Sequence, residues 1–222
     1  MEKVEIYNMD AGGNCNLFHH GIVKDYIEIK YFEMKAGNLY GIIGEFGNGG
    51  AALSCCISGD TNFHKGEIII DGEITDITTL AENSWYIGND LRSNKSKRFM
   101  RRKPRFQSHT IKDQIQAGIN NHSIQYDCDA ICKLFKISPE RAERNIEFVS
   151  GERWRASVAI GFSHGKSIFC YPWLNTQDIE RNKMEMINTI NTLIDHNKII
   201  ILPTTKEENV AELSNRVHFL TL

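Results

Sequence analysis

Residues 42–59 read IIGEFGNGGAALSCCISG: the end of an apolar run, a loop rich in glycine, and a short apolar segment of helical size. The phosphate-loop spacing is Gly, four residues, Gly, then Lys and a hydroxyl residue. Gly44 and Gly49 meet it, and Gly50 and Ala51 break it. Gly47 and Asn48 complete the loop. The backbone N–H groups that cradle phosphate are therefore kept. The lysine charge that reaches the β/γ-phosphates and the hydroxyl that holds Mg²⁺ are lost. The expectation is a nucleotide-binding fold whose own chemistry has decayed. The same loop read in isolation is an ordinary tight strand-to-helix turn.

The chain has 222 residues, 41% of them hydrophobic, enough for one large domain with a sizeable core. A net charge of −2 argues for neither nucleic acid nor a membrane surface as a partner of the whole chain. No charged-then-apolar leader follows Met1, and no apolar run approaches the roughly 20 residues that span a bilayer. A cytosolic chain is expected. Cys15, Cys55, Cys56, Cys128, Cys132 and Cys170 lie mostly in apolar periodic segments, and read as reduced, buried small hydrophobes. Cys128 and Cys132 are four apart but lack a second pair at zinc-finger spacing, so no metal is expected.

Outward from the loop, Val4–Tyr7 and Tyr26–Met34 alternate like antiparallel strands, with turn chemistry between Asp10 and Asn16. Leu39–Ile43 reads as a strand buried on both faces, and Lys65–Gly72 as a strand bounded by glycines. Helical periodicity runs from Ile111 to about Phe148, with Ser138-Pro139 as an N-cap followed by proline at the first helical position. A helix from Glu152 to about Ser163, a strand over Lys166–Cys170, an amphipathic helix over Met184–Ile194 and a strand over Lys198–Leu202 stopped by Pro203 complete the order. This is an α/β fold like the P-loop NTPases: a mixed sheet with N-terminal antiparallel strands and an inserted helical subdomain. Residues 1–222 form one domain, 1–90 and 152–222 being the core lobe and about 91–151 the basic segment and helical insert.

Taken together, these stretches resemble the nucleotide-binding domain of an ATP-binding cassette (ABC) transporter, over nearly the whole chain. Ile57-Ser58-Gly59 with Lys65–Gly72 resembles the end of the helix after the loop and the glycine-bounded strand. Thr110–Ile115 resembles the opening of the helical subdomain. Phe148-Val149-Ser150-Gly151-Glu152-Arg153 resembles the signature loop, its serine being Val149 in ungapped register or Ser150 if one glycine is deleted. Ser167–Pro172 resembles the Walker B segment, with Cys170 where the magnesium-binding Asp belongs and Tyr171 where the catalytic Glu belongs. Thr205 takes the place of the switch His, and Gly88 or Asn89 that of the inter-lobe Gln. Tyr7 or Phe18 stands near the family's adenine-stacking aromatic, although an aromatic in a first strand more often packs a core. Trp154 and Trp173, beside the signature and Walker B segments, read as fillers of space left by a lost nucleotide.

The resemblance implies a degenerate ATP-binding subunit with no catalytic residues of its own. ATP would bind only weakly at its own loop, and Mg²⁺ is not expected. Its implied partners are an ATP-competent homologue, whose site it completes through Ser150, Gly151 and Glu152, and a transmembrane permease, which would hold the chain peripherally on the inner face of the plasma membrane. Two alternatives stand beside it: an ABC ATPase with residual binding and hydrolysis, and a basic-patch binding module on a cassette scaffold. The patch is Arg92 to Arg105, where Lys95, Lys97, Arg98, Arg101, Arg102 and Lys103 meet no acid. Nucleic acid is not the expected partner of this patch; anionic lipid attracts such residues by about 1 kcal/mol each. Changing Arg98, Arg101 and Arg102 to Glu is expected to abolish co-sedimentation with anionic liposomes, while salt-sensitive binding to single-stranded RNA would point to the binding module.

Overall fold

The computed structural model describes residues 1–17, 21–89, 110–122 and 124–222. Phe18, His19 and His20, and the basic block Arg92 to Arg105, lie outside the described residues. The chain divides into two units, Met1–Tyr86 with Ser167–Leu222, and Ile87–Lys166.

In the first unit, β1 (Lys3–Leu17) and β2 (Gly21–Lys35) form a long antiparallel hairpin, extended by β4 (Asn62–Ile70) and β5 (Glu73–Thr75) into a sheet of order β2-β1-β4-β5. The turn expected over Asp10–Asn16 is strand instead. Its backbone groups are taken up by the ladder to β2, from Asp10 opposite Glu28 to Asn16 opposite Ile22. Glycine there serves close approach: a Cβ on Gly12 would lie 2.7 Å from the Asp25 carbonyl oxygen. The buried positions of β1 run Val4, Ile6 and then Met9, Ala11. The phase slips at Asn8, which takes φ +48° beside the irregular pairing with β4.

The second sheet is wholly parallel. Its strands β3 (Asn38–Ile43), β6 (Ser84–Tyr86), β7 (Ile168–Cys170), β8 (Ile199–Thr204) and β9 (Val217–Thr221) take the order β6-β7-β8-β3-β9. Pro203 does not stop β8; it pairs opposite Ile42, and its carbonyl accepts from Leu174 N–H. Proline lacks only a donor, so the ladder tolerates it near the strand end. Helix α1 (Gly50–Ile57) is buried at every residue and packs against strands of both sheets. Short α2 (Ile77–Glu82) leads into β6, capped by Asp76.

The second unit contains α3 (Ile111–Asn121), α4 (Cys128–Leu134), α5 (Pro139–Ala142), a 3-10 turn (Ile146–Phe148) and α6 (Arg153–Ser163). Thr110 and Asp113 form a reciprocal capping box at α3, and Ser138 precedes Pro139 at α5 as the sequence predicts. In the first unit, α7 (Thr176–Asp195) starts earlier than its apolar pattern does, because Asn175 accepts from Asp178 N–H and caps it there. Met184 is 70% exposed and so is not on the apolar face; Ile179, Met186, Ile190, Leu193 and Ile194 form it. Helix α8 (Glu208–Ala211) follows β8. All six cysteines are buried as free thiols. No helix among the described residues is long and apolar enough to cross a membrane.

Gly118 of α3 shows why a helix keeps a glycine. A Cβ there would sit 2.6 Å from the carbonyl carbon and oxygen of Ser163 in α6. Helix propensity favours alanine by about 1 kcal/mol, but backbone overlap in a packed interior costs about 1–3 kcal/mol. Gly118→Ala is expected to lower stability in urea unfolding, against its propensity.

Candidate functional site

Strand order gathers the resembling segments of the first unit at one edge. The loop Gly44–Gly49 follows β3, Thr205 follows β8 and Tyr171-Pro172-Trp173 follows β7, and these three strands are neighbours in a parallel sheet. All three therefore emerge at the carboxyl ends of the strands, where open α/β sheets bind ligands.

The loop leaves β3 with Gly44 N–H donating to Thr204 carbonyl oxygen at 2.9 Å, and turns through Asn48 N–H to Glu45 carbonyl oxygen at 3.1 Å. Gly47 and Gly49 take φ of +90° and +102°, which side chains resist. Gly49 is fixed as glycine by space as well: a Cβ would lie 2.8 Å from Tyr26 carbonyl oxygen and 2.9 Å from Ile27 Cβ. Strand β2 thus runs directly against the loop.

A helix buried at all eight residues cannot rely on water for its first N–H groups. Asp25, 1% exposed, supplies the acceptors: Oδ1 takes Gly49 N–H and Oδ2 takes Ala52 N–H, each at 2.9 Å. One carboxylate so spans the cap and third positions of α1, where the helix dipole also favours negative charge. Sequence reasoning missed Asp25. Its signal was an acid at the start of an otherwise apolar-alternating strand, indistinguishable from a solvated edge residue.

Gly50 stands in the lysine position with little room for a side chain. A Cβ there meets Pro203 Cβ at 2.9 Å and Trp173 Cδ1 at 3.6 Å. The Trp173 indole donates to Gly44 carbonyl oxygen at 3.2 Å, and Phe46 stands edge-on to its ring at a centroid distance of 5.1 Å. Trp173 therefore packs on the loop itself. Ala51 is buried.

Cys170 and Tyr171 are the residues that the resemblance sets at the acidic positions. Both are buried, and burial pushes the thiol and the phenol far above their ordinary values. Neither offers negative charge near neutral pH, so neither suits Mg²⁺ or a general base. The Thr205 hydroxyl accepts from Asn209 Nδ2 at 3.3 Å, which also donates to Thr204 Oγ1 at 2.8 Å. Tyr7 packs on Tyr31, centroids 4.8 Å apart, with its hydroxyl donating to Glu5.

In the second unit, Val149 is buried while Ser150 and Gly151 are exposed, so of the two candidate serine positions only Ser150 faces solvent. Phe148 beside them is 68% exposed. Glu152 is the cap residue, and α6 begins at Arg153. Its carboxylate is held by Arg155 at 3.5 Å, Arg141 at 3.7 Å and Ser138 N–H at 3.3 Å. Trp154 lies half-buried in the first turn of α6. Gly88 N–H donates to Ser157 Oγ, which donates on to Asn89 carbonyl oxygen, both at 2.7 Å. That buried hydroxyl, another residue the sequence did not single out, fixes the Gly88-Asn89 segment to α6.

No protein-family model matches the chain. The energy-coupling factor transporter ATP-binding protein EcfA1 of Streptococcus pyogenes is 22% identical over 205 residues, which are 90% of this chain and 71% of EcfA1. Among solved structures, cbiO1 from Clostridium perfringens, part of the ABC transporter complex cbiONQ, superposes with a TM-score of 0.62 at 16% identity, covering 99% of this chain and 85% of cbiO1. An ATP-binding cassette solved as a post-hydrolysis dimer with ADP and Pi superposes at 0.63 and 15% identity, covering 98% and 94%. The fold is that of an ABC nucleotide-binding domain.

Placing Lys and Ser at residues 50 and 51, as the phosphate-loop pattern would have them, is expected to destabilise the chain. The double variant Gly50→Lys, Ala51→Ser forces side-chain atoms against Pro203 and is expected to lose about 1–3 kcal/mol in urea unfolding without gaining phosphate release from Mg-ATP.

Proposed function

We propose that this chain is a non-catalytic nucleotide-binding subunit of an ABC transporter. It pairs with an ATP-competent homologue and couples that homologue to a transmembrane permease, and through the permease it sits on the inner face of the membrane. The observation carrying this reading is the contrast between its two edges. At the loop edge, a Cβ on Gly50 would press on Pro203, and on this reading Cys170, Tyr171 and Thr205 stand where charge and proton transfer are needed. At the signature edge, Ser150 and Gly151 remain exposed before α6. Phosphoryl transfer depends on positioning and charge, so loss of the lysine, the metal holders and the base together removes the means of hydrolysis.

Likeness to EcfA1, an ATP-binding protein of an energy-coupling factor transporter, and to a component of cbiONQ supports the transporter setting. In a head-to-tail pair, the signature edge of one chain faces the nucleotide of the other, so a chain without its own site can still complete its partner's. The amides at the start of α6 suit a γ-phosphate there. The Glu152 carboxylate, held by Arg141 and Arg155, has much of its repulsion offset.

The test is the ATPase of the complex purified from membranes with its co-purifying subunits. The chain alone is expected to release no phosphate above background. Ser150→Arg is expected to cut the complex's turnover at least tenfold with assembly unchanged, a loss of about 1.4 kcal/mol or more of transition-state stabilisation. Unchanged turnover would leave the subunit a scaffold only. Turnover by the chain alone would favour residual ATPase activity.

A further inference from the structure

We propose that Asp25 acts as a built-in anionic ligand of the glycine loop, taking the part that a phosphate group would play and closing the loop from within. The inference rests on the reading above that Gly44–Ala51 descends from a nucleotide loop. Three sets of contacts on different residues lead to it.

The first is at the donors. The two carboxylate oxygens of Asp25 accept Gly49 N–H and Ala52 N–H at 2.9 Å each, a two-point grip on the N-terminus of α1. A phosphate on those donors would have to occupy the volume of the carboxylate and would meet its negative charge in a site almost without solvent, Asp25 being 1% exposed. The second is steric. β2 abuts the loop so closely that even one added carbon on Gly49 would lie 2.8 Å from the Tyr26 carbonyl oxygen. The third is at Gly44 and Gly50. Pro203 crowds Gly50 with Trp173 in contact beyond it, the indole donates to Gly44 carbonyl oxygen, and Phe46 stands edge-on to it. Here an acid, an indole and a proline from three strands or their ends supply the order that a nucleotide would.

The blander possibility is that Asp25 is a tertiary cap while phosphate still enters the loop from its solvent side. The two differ in what the intact protein does with phosphate. Melting temperatures of the full chain and of Asp25→Ala and Asp25→Asn are to be measured with sodium chloride or sodium pyrophosphate at matched ionic strength, together with calorimetric titration of the full chain with pyrophosphate and with Mg-ATP. An internal ligand predicts no pyrophosphate shift and no binding heat for the unaltered chain, a clear melting loss for Asp25→Ala, and recovery of most of that loss by pyrophosphate through binding to the vacated amides. Asp25→Asn, keeping one acceptor oxygen, should lose less and recover less.

Stabilisation of the unaltered chain by pyrophosphate as large as that of Asp25→Ala overturns the proposal, as does binding of Mg-ATP to the unaltered chain. Destabilised variants that pyrophosphate does not rescue also overturn it, since Asp25 is then a cap only. If Asp25→Ala does not fold, the titrations of the unaltered chain and the Asp25→Asn melting curves decide by the same criteria. A chain that binds no anion yet assembles with no permease or ATPase would refute the transporter role and leave this inference standing.

Discussion

The buried carboxylate of Asp25 on the Gly49 and Ala52 amides joins the two halves of the first unit. It belongs to β2 of the antiparallel sheet, and it terminates the helix that follows β3 of the parallel sheet. Hydrogen bonds to a charged group contribute about 1.5–3 kcal/mol each, and a buried helix end without acceptors would cost a comparable amount per amide. Because α1 is sealed between the sheets, its N-terminal groups have few alternatives. The tight approach of β2 to Gly49 and the full burial of α1 are therefore one arrangement, held in part by this carboxylate.

The parallel sheet sets the rest. With β7, β8 and β3 side by side, the ends of these strands must meet, so whatever residues follow them share one small volume. Beside Gly50 that volume holds Trp173 and Pro203, groups that pack rather than ionise. Burial raises the Cys170 thiol and Tyr171 phenol, so each stays neutral, and a neutral interior packs at lower cost than one holding charges for an absent ligand.

Much of this was legible before any coordinates. The strand over Leu39–Ile43, the glycine loop, the α6 segment and the Ser138-Pro139 helix start are local signals, carried by apolar runs, glycine spacing and cap residues within a few positions of each other. Where the sequence misled, a tertiary partner had overridden a local preference. Asp10–Asn16 has turn composition but pairs with β2 along its length. Pro203 sits inside β8 because a strand end can spare one donor. β9 was not seen at all, since its Val217–Thr221 run is half-exposed and short, and exists as a strand because β3 offers it an edge.

The sequence by itself determined the order of elements, the position of the loop, and which reacting groups are absent from it, because each of these is a property of residue identity and spacing. It could not determine what replaced them. Asp25 lies 24 residues before Gly49, and Trp173 lies 129 residues after Gly44. Contacts at such separations leave no periodicity to read; they exist only once strand pairing and the parallel strand order have brought β2, β3 and the end of β7 together. Tertiary structure alone decided that the loop is occupied by the protein's own side chains.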